Sequence, residues 1–350
     1  MIEGPIRVGL IGLGYAGRTF HVPLIGATEG MAITAVASSQ PNVAAEILPE
    51  AAVVGTAAEL ATRDDLDLIV VASPNDSHAP LALAALTAGK HVVVEKPFAL
   101  SVEEARTVAE AAARAERLLA VFHNRRWDSD FLSVRAAIES GAIGDVVHFE
   151  SHFDRFRPAV RDRWRERAAG GGGIWYDLGP HLVDQALLLF GIPERVGASL
   201  AALRPGASAD DWAHVVLHYP DKRIVLHASM LVAGGSARFT VHGTGGSLVK
   251  QRGDQQEAQL LAGMVPGAPG WGEDDDPLML HDGERARAMP LVPGDQRQFY
   301  RELAAAIRGE GPNPVPPEQA LGVMAVMEAA IRSADEGRMM PIETAACATL

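Results

Sequence analysis

Short runs of Val, Ile, Leu and Ala at Arg7–Ile11, Ala32–Ala37, Leu68–Ala72, His91–Val94 and Leu118–Phe122 are apolar throughout. Helical spacing fills the intervals at Ala16–Ala27, Ala79–Ala88 and Val102–Glu116. A strand that is apolar on both sides has to be covered on both, and a helix after each strand supplies that cover. The pattern predicts a doubly wound parallel α/β domain over residues 1–123.

Past His123 the period changes. Asp128–Ser140 reads as a helix, and the strands Val146–Phe153, Ala213–Tyr219, Arg223–Leu231 and Arg238–His242 alternate. In the first of these, Val147, Phe149 and Phe153 share one face, while His148, Glu150 and His152 share the other. Alternation means one face on a core and one more polar face. Helices at Gln296–Arg308 and Gln319–Asp335 close the chain. Residues 124–350 are therefore expected to form an α+β domain with a large, mostly antiparallel sheet that binds substrate and oligomerises. Helices, water or a second subunit could cover its polar face, and a homodimer or homotetramer through this sheet is the expected assembly. Between them, residues 263–294 hold eleven Gly or Pro residues and the acidic run Glu273–Asp276. This segment reads as a long surface loop, with a flap over a site as the functional alternative.

Composition narrows the partners. The 350 residues are 48% hydrophobic and carry a net charge of −13, which argues against a nucleic-acid surface or an anionic membrane. The single cysteine, Cys347, can form neither an internal disulfide nor a cysteine zinc cluster. Met1–Pro5 lacks a basic n-region, and no apolar run reaches the ~18 residues of a membrane span. A soluble cytoplasmic protein acting on small molecules is expected.

Gly12-Leu13-Gly14-Tyr15-Ala16-Gly17 matches G-x-G-x-x-G between a strand and a helix. In that setting the first glycine permits a tight turn, the second lets backbone approach a pyrophosphate, and the third allows helix and sheet to pack closely. Free N–H groups at the helix start would receive the phosphates. NAD sites place a carboxylate at the end of the second strand, on the ribose 2′-hydroxyl. Here the chain reads Ala37-Ser38-Ser39-Gln40, without an acid, so Ser38 and Ser39 predict NADP over NAD. No arginine is adjacent in sequence, and Arg18 on the first helix is the nearest cation for a 2′-phosphate.

Two further segments carry chemistry. Asp177 and His181 stand four apart after the run Gly170–Gly173, so a helix starting there puts both on one face. A carboxylate beside an imidazole suits a general acid/base acting on an alcohol. Glu95-Lys96-Pro97 follows the strand His91–Val94, at the strand end where ligands bind in doubly wound sheets. There Lys96 could polarise a substrate hydroxyl.

Taken together and in this order, these segments resemble the glucose–fructose oxidoreductase/inositol dehydrogenase/MocA (Gfo/Idh/MocA) family over nearly the whole chain. The resemblance implies a Rossmann domain and a catalytic triad of Lys96, Asp177 and His181, with His181 as proton acceptor and Asp177 supporting it. Ser73-Pro74-Asn75-Asp76-Ser77-His78 looks like the family loop lining the nicotinamide end. Cofactor contacts are thereby implied at Gly12, Gly14, Tyr15, Ala16, Gly17, Ser38, Ser39, Ser73, Pro74, Asn75, His78, Glu95 and Lys96. The strings Gly14–His21, Asn124–Asp128 and His152–Pro158 are similar to the NADP-dependent scyllo-inositol dehydrogenase-like branch. The implied activity is hydride transfer between nicotinamide and a ring hydroxyl of a cyclic polyol or sugar. An NAD-dependent glycosidase on the same scaffold is the alternative. A non-catalytic dinucleotide sensor is another, although intact Lys96, Asp177 and His181 speak against it.

Substrate contacts are expected from donors and flat rings in these segments: Arg126, Trp127, His152, Arg155 and Trp164, with Lys96, Asp177 and His181. Six arginines lie from Arg155 to Arg167, interleaved with acids, and read either as a salt-bridged surface or as donors to substrate hydroxyls. Six histidines fall on the second-domain strands. Within a strand, His148/His152 and His214/His218 are roughly 13 Å apart and cannot chelate as pairs. No metal site is expected.

Overall fold

The computed structural model describes residues 4–342; Met1–Glu3 and Cys347 lie outside them. The first sheet consists of β1 (Ile6–Ile11), β2 (Met31–Ala37), β3 (Ala52–Val54), β4 (Leu68–Val71), β5 (His91–Val94) and β6 (Leu119–Val121). Its order is β3-β2-β1-β4-β5-β6, with every pairing parallel. The apolar runs form its centre: every residue of β4 and β6 is buried. β3 escaped the periodicity because it is three residues long with two of them exposed. The chain winds outward from β1 in one direction and resumes at β4 in the other. That reversal opens a crevice at the carboxyl ends of β1 and β4.

The second sheet adds β7 (Val146–Asp154), β8 (Arg195–Ala201), β9 (Trp212–His218), β10 (Arg223–Ser229), β11 (Phe239–Gly243), β12 (Gly246–Lys250), β13 (Leu278–His281), β14 (Ala286–Met289) and β15 (Met340–Pro341). Its order is β14-β13-β12-β11-β7-β10-β9-β8-β15, antiparallel except for the β7–β10 pair. Helices Ile174–Phe190 and Pro317–Glu336 pack on one face, over Phe149, Val215, Leu226 and Val241. The other face presents His148, Glu150, His152, His214 and His227 at the alternate positions.

Three expectations need correction. Val147 does not join the core face. The register between β7 and β11 shifts so that Val146 is buried and Val147 is bulged outward, 43% exposed. Residues 263–294 are not simply a loop, because they contain β13 and β14, which extend the sheet edge. The acidic run is split: Glu273 and Asp275 are exposed, while Asp274 and Asp276 turn inward and pair with Lys250, whose side chain is fully buried and would be costly there without them. Finally, Phe299, Tyr300, Leu303, Val315 and Leu321 from the chain's far end pack into the core of the first sheet. The far end of the chain thus contributes side chains to the first core as well as to the second.

Candidate active site

The crevice is a groove whose floor is the turn after β1. Gly12 has φ +95°, and a Cβ there would fall 2.4 Å from the Ala72 carbonyl oxygen. Gly17 sits behind the turn, where a Cβ would fall 2.3 Å from the Gly12 oxygen. A Cβ at Gly14 would meet nothing within 4 Å, so the backbone there is open to a ligand. Tyr15, Ala16, Arg18, Ser38 and Ser39 line the same groove, and Ser73, Pro74, Asn75, His78, Glu95 and Lys96 continue it. The groove thus takes in every expected cofactor contact but Gly17. His78 is buried beneath it, with Nδ1 2.8 Å from the Pro97 oxygen and Nε2 3.0 Å from the Ser73 oxygen. It clamps together the loops that follow β4 and β5. This is a cradle that fits a dinucleotide: crowded glycines below, an open backbone at Gly14, and hydroxyls with a cation where the second ribose would lie.

Beside the groove lies a cavity of about 300 Å³, and Tyr15, Ala16, Glu95 and Lys96 line both. Helix Ile174–Phe190 starts at its wall. Gly173, at φ +106°, admits Asp210, which accepts from Trp175 N at 2.7 Å and so caps the helix start. One turn of that helix carries Asp177 and His181. Lys96 Nζ donates to the Asp177 main-chain oxygen at 2.6 Å and to Oδ1 at 3.2 Å. Arg165 Nε and Arg155 Nη1 approach the same carboxylate at 3.6 and 3.8 Å. Burial by itself would raise the Asp177 pKa, but Lys96 and the two arginines outweigh it and hold the group at about 2. The carboxylate is thus spent on cations, where the sequence predicted support for His181. The His181 Nδ1 is buried without a hydrogen-bond partner. Burial, reinforced by the positive charges of Lys96 and Arg125, pushes this imidazole well below its ordinary pKa, so it is neutral and free to take a proton.

Glu95 fixes the segment that presents Lys96. Its Oε2 accepts from Lys96 N at 2.9 Å, and its Oε1 lies 3.0 Å from His21 Nε2. His21 Nδ1 lies 2.6 Å from the Tyr300 hydroxyl. With Nε2 donating to Glu95 and Nδ1 accepting from Tyr300, His21 satisfies all three buried groups. His21 closes the branch-like string Gly14–His21, but nothing in the sequence pointed to Tyr300, which arrives from a helix more than 200 residues away.

Of the expected substrate contacts, Arg155 lines the cavity and Trp164 lines the neighbouring groove, with the Arg165 guanidinium 4.4 Å from its ring centroid. Arg126, Trp127 and His152 are directed elsewhere. Arg126 is buried on Asp184 at 2.6 Å and donates to the Pro314 oxygen and Gln319. Trp127 packs edge-on against Phe299, and His152 lies on the outer face of the second sheet, beside His227. The neighbouring Arg125 faces the cavity instead, because consecutive residues of the tight turn Asn124–Trp127 point in different directions. Asp128 and Glu257 hold Arg125 at 3.0 and 2.8 Å, and Tyr15 donates to Glu257 at 2.6 Å.

Five of the six clustered arginines line the cavity; Arg167 pairs outside with exposed Asp162. With Lys96, Arg125 and Arg204, eight cationic side chains face five carboxylates there. Arg204 comes from a remote loop that gave no sequence signal.

A dinucleotide groove that shares Lys96 and its neighbours with a cationic cavity defines a nicotinamide-linked oxidoreductase. The chain belongs to the Gfo/Idh/MocA oxidoreductase family: residues 6–123 match its NAD-binding Rossmann fold and residues 135–344 its C-terminal alpha/beta domain. It is 48% identical over 333 residues to the uncharacterized oxidoreductase YdgJ of Escherichia coli K12, covering 94% of this chain and 96% of that one. It is 34% identical to the scyllo-inositol 2-dehydrogenase (NADP(+)) IolW of Bacillus subtilis 168, covering 97% and 96%. A crystal structure from Klebsiella pneumoniae, described as that of an oxidoreductase, superposes with a TM-score of 0.92 at 52% identity, covering 97% and 96%. No helix among the described residues is long and apolar enough to cross a membrane.

Proposed function

We propose that this protein is an NADP(H)-dependent dehydrogenase acting on a ring hydroxyl of a cyclic polyol or sugar, with scyllo-inositol as the first candidate. One observation carries the reading: a buried, neutral, unpartnered imidazole, His181, faces a polar cavity that shares Lys96 with the dinucleotide groove. The nicotinamide, when bound, supplies the carbon that accepts or returns the hydride. His181 takes the hydroxyl proton as the carbonyl forms and returns it in the reverse direction. Lys96 donates a hydrogen bond to the same oxygen, and Asp177 keeps that ammonium aimed. Arg125 and Arg155 offer donors to the remaining hydroxyls, each of which would cost ~1–3 kcal/mol if left unpaired on binding. Ser38, Ser39 and Arg18, without a carboxylate among them in the groove lining, support NADP over NAD. The NADP(+)-linked name of the Bacillus relative supports the same choice.

A polyhydroxylated acid such as a uronate is a second reading. Among the described residues, Arg157 and Arg161 line the cavity without a carboxylate at ion-pair distance, which favours an anionic group on the substrate.

The test is a cofactor-linked absorbance screen of scyllo-inositol, myo-inositol, glucose and glucuronate with NADP and NAD, and of their keto partners with NADPH and NADH. Turnover of a cyclic polyol or uronate with NADP preferred supports the proposal. Turnover confined to simple aliphatic alcohols or aldehydes overturns it.

A further inference from the structure

We propose that the outer face of the second sheet carries a divalent-cation site of the zinc class, formed by His152, Asp154 and His227. The site is separate from the catalytic cavity. Phe153, between the first two donors, points the other way and packs against His181, with ring centroids 6.4 Å apart.

The donors come together across strands. β7 and β10 run parallel with His152 paired to His227, and Asp154 follows two residues on, on the same face. Histidines too far apart to chelate along one strand thus give way to donors that meet across two. One donor atom from each residue lies within 4.8 Å of the others. Asp154 Oδ2 is 3.3 Å from His152 Nδ1, and Oδ1 is 3.6 Å from His227 Nε2. These two contacts use different oxygens of the carboxylate; with one oxygen as ligand the three donors lie within 4.8 Å, and a metal with bonds of ~2.0–2.2 Å would draw them closer together.

A second observation points to a ligand. The Asp154 side chain is only 3% exposed, and its Oδ1 is buried without a hydrogen-bond partner. A desolvated carboxylate oxygen in that state is costly unless a cation satisfies it.

The surrounding groups suit metal ligation. His152 Nε2 lies 3.1 Å from Glu150 Oε2, the carboxylate–imidazole contact that turns the other ring nitrogen's lone pair toward a metal. Glu150 is held in turn by His148 at 2.8 Å. The His227 Nδ1 is 3.4 Å from the His214 Nδ1, so His227 donating there leaves its Nε2 lone pair on the site. His152 and His227 are 18% and 14% exposed in the single chain. The cation would brace β7 against β10 one residue before Arg155 enters the cavity.

The test is zinc uptake by the full-length protein after chelator treatment and gel filtration, measured as metal content, with cobalt(II) as an optical probe of coordination. One equivalent per chain is expected, with a tetrahedral cobalt spectrum. His227→Gln and Asp154→Asn should each weaken affinity at least about tenfold, and Glu150→Gln about tenfold. His148→Gln, outside the donor set, should weaken it less than any of these. Circular dichroism and NADPH titration check that each variant is folded. If Asp154→Asn does not fold, His227→Gln decides. No retained zinc in the parent, a cobalt spectrum of hydrated ion only, or equal retention in His227→Gln overturns the proposal and leaves a hydrogen-bonded imidazolium cluster.

Discussion

Lys96 and Asp177 meet through two hydrogen bonds, one to the main-chain oxygen at 2.6 Å and one to the carboxylate at 3.2 Å. The pair joins the end of β5 in the first sheet to the first turn of a helix that packs on the second. The proposed reacting centre is therefore built across the two sheets, and neither half of the chain contains it alone.

That arrangement separates chemistry from cofactor binding. Lys96→Ala and His181→Ala should each lower turnover by ~10²–10⁴-fold, the usual contribution of a single acid/base group. NADPH affinity, measured by fluorescence titration, should stay near the parent value in His181→Ala. A His181→Ala protein that keeps turnover within a factor of a few would remove this residue from the proton transfer.

The pH profile carries a sign. Alcohol oxidation needs His181 neutral, so kcat/KM should rise with pH and then level off. Burial and nearby cations lower the His181 pKa well below 6.5, which places the acid limb below the ordinary histidine range. Asp177, held at about 2, stays ionised throughout and adds no limb. A limb centred at or above 6.5 in steady-state kinetics would contradict this assignment.

Cofactor preference should follow charge at the far end of the groove. Ser38→Asp should reverse or erase the preference for NADP(H), because a carboxylate repels a 2′-phosphate. Arg18→Ala should weaken NADPH by about tenfold or more while leaving NADH nearly unchanged, since a hydrogen bond to a charged group contributes ~1.5–3 kcal/mol. Equal affinities for both cofactors in the parent protein would refute the role given to Ser38 and Arg18.

Arg125 and Arg126 should part company under substitution. Arg126→Ala leaves Asp184 as an uncompensated buried charge, for a loss of ~3–5 kcal/mol of stability in denaturant melts. Arg125→Ala should raise substrate KM in addition to losing stability, since it too leaves a buried partner, Asp128, without its cation, whereas Arg126→Ala should leave KM nearly unchanged. The opposite outcome would mean that Arg126 is the arginine that meets substrate.

The sequence by itself determined the two kinds of sheet, the dinucleotide groove and the Lys96, Asp177 and His181 positions. Strand burial is written residue by residue into local periodicity, and the glycine pattern records a tight turn in which Gly12 and Gly17 meet close in the chain. Tertiary structure decided what those residues touch. Asp177 was expected beside His181, yet Lys96 and two arginines from other segments compete for its carboxylate and win, because full charges attract it more strongly than a neutral imidazole does. Arg125 and Arg126 are indistinguishable in a string of residues. Which of them faces the cavity depends on the rotation of one tight turn and on Asp184, 58 residues further on. His152, Asp154 and His227 are likewise brought together only by the register between β7 and β10, which no spacing within a single strand encodes.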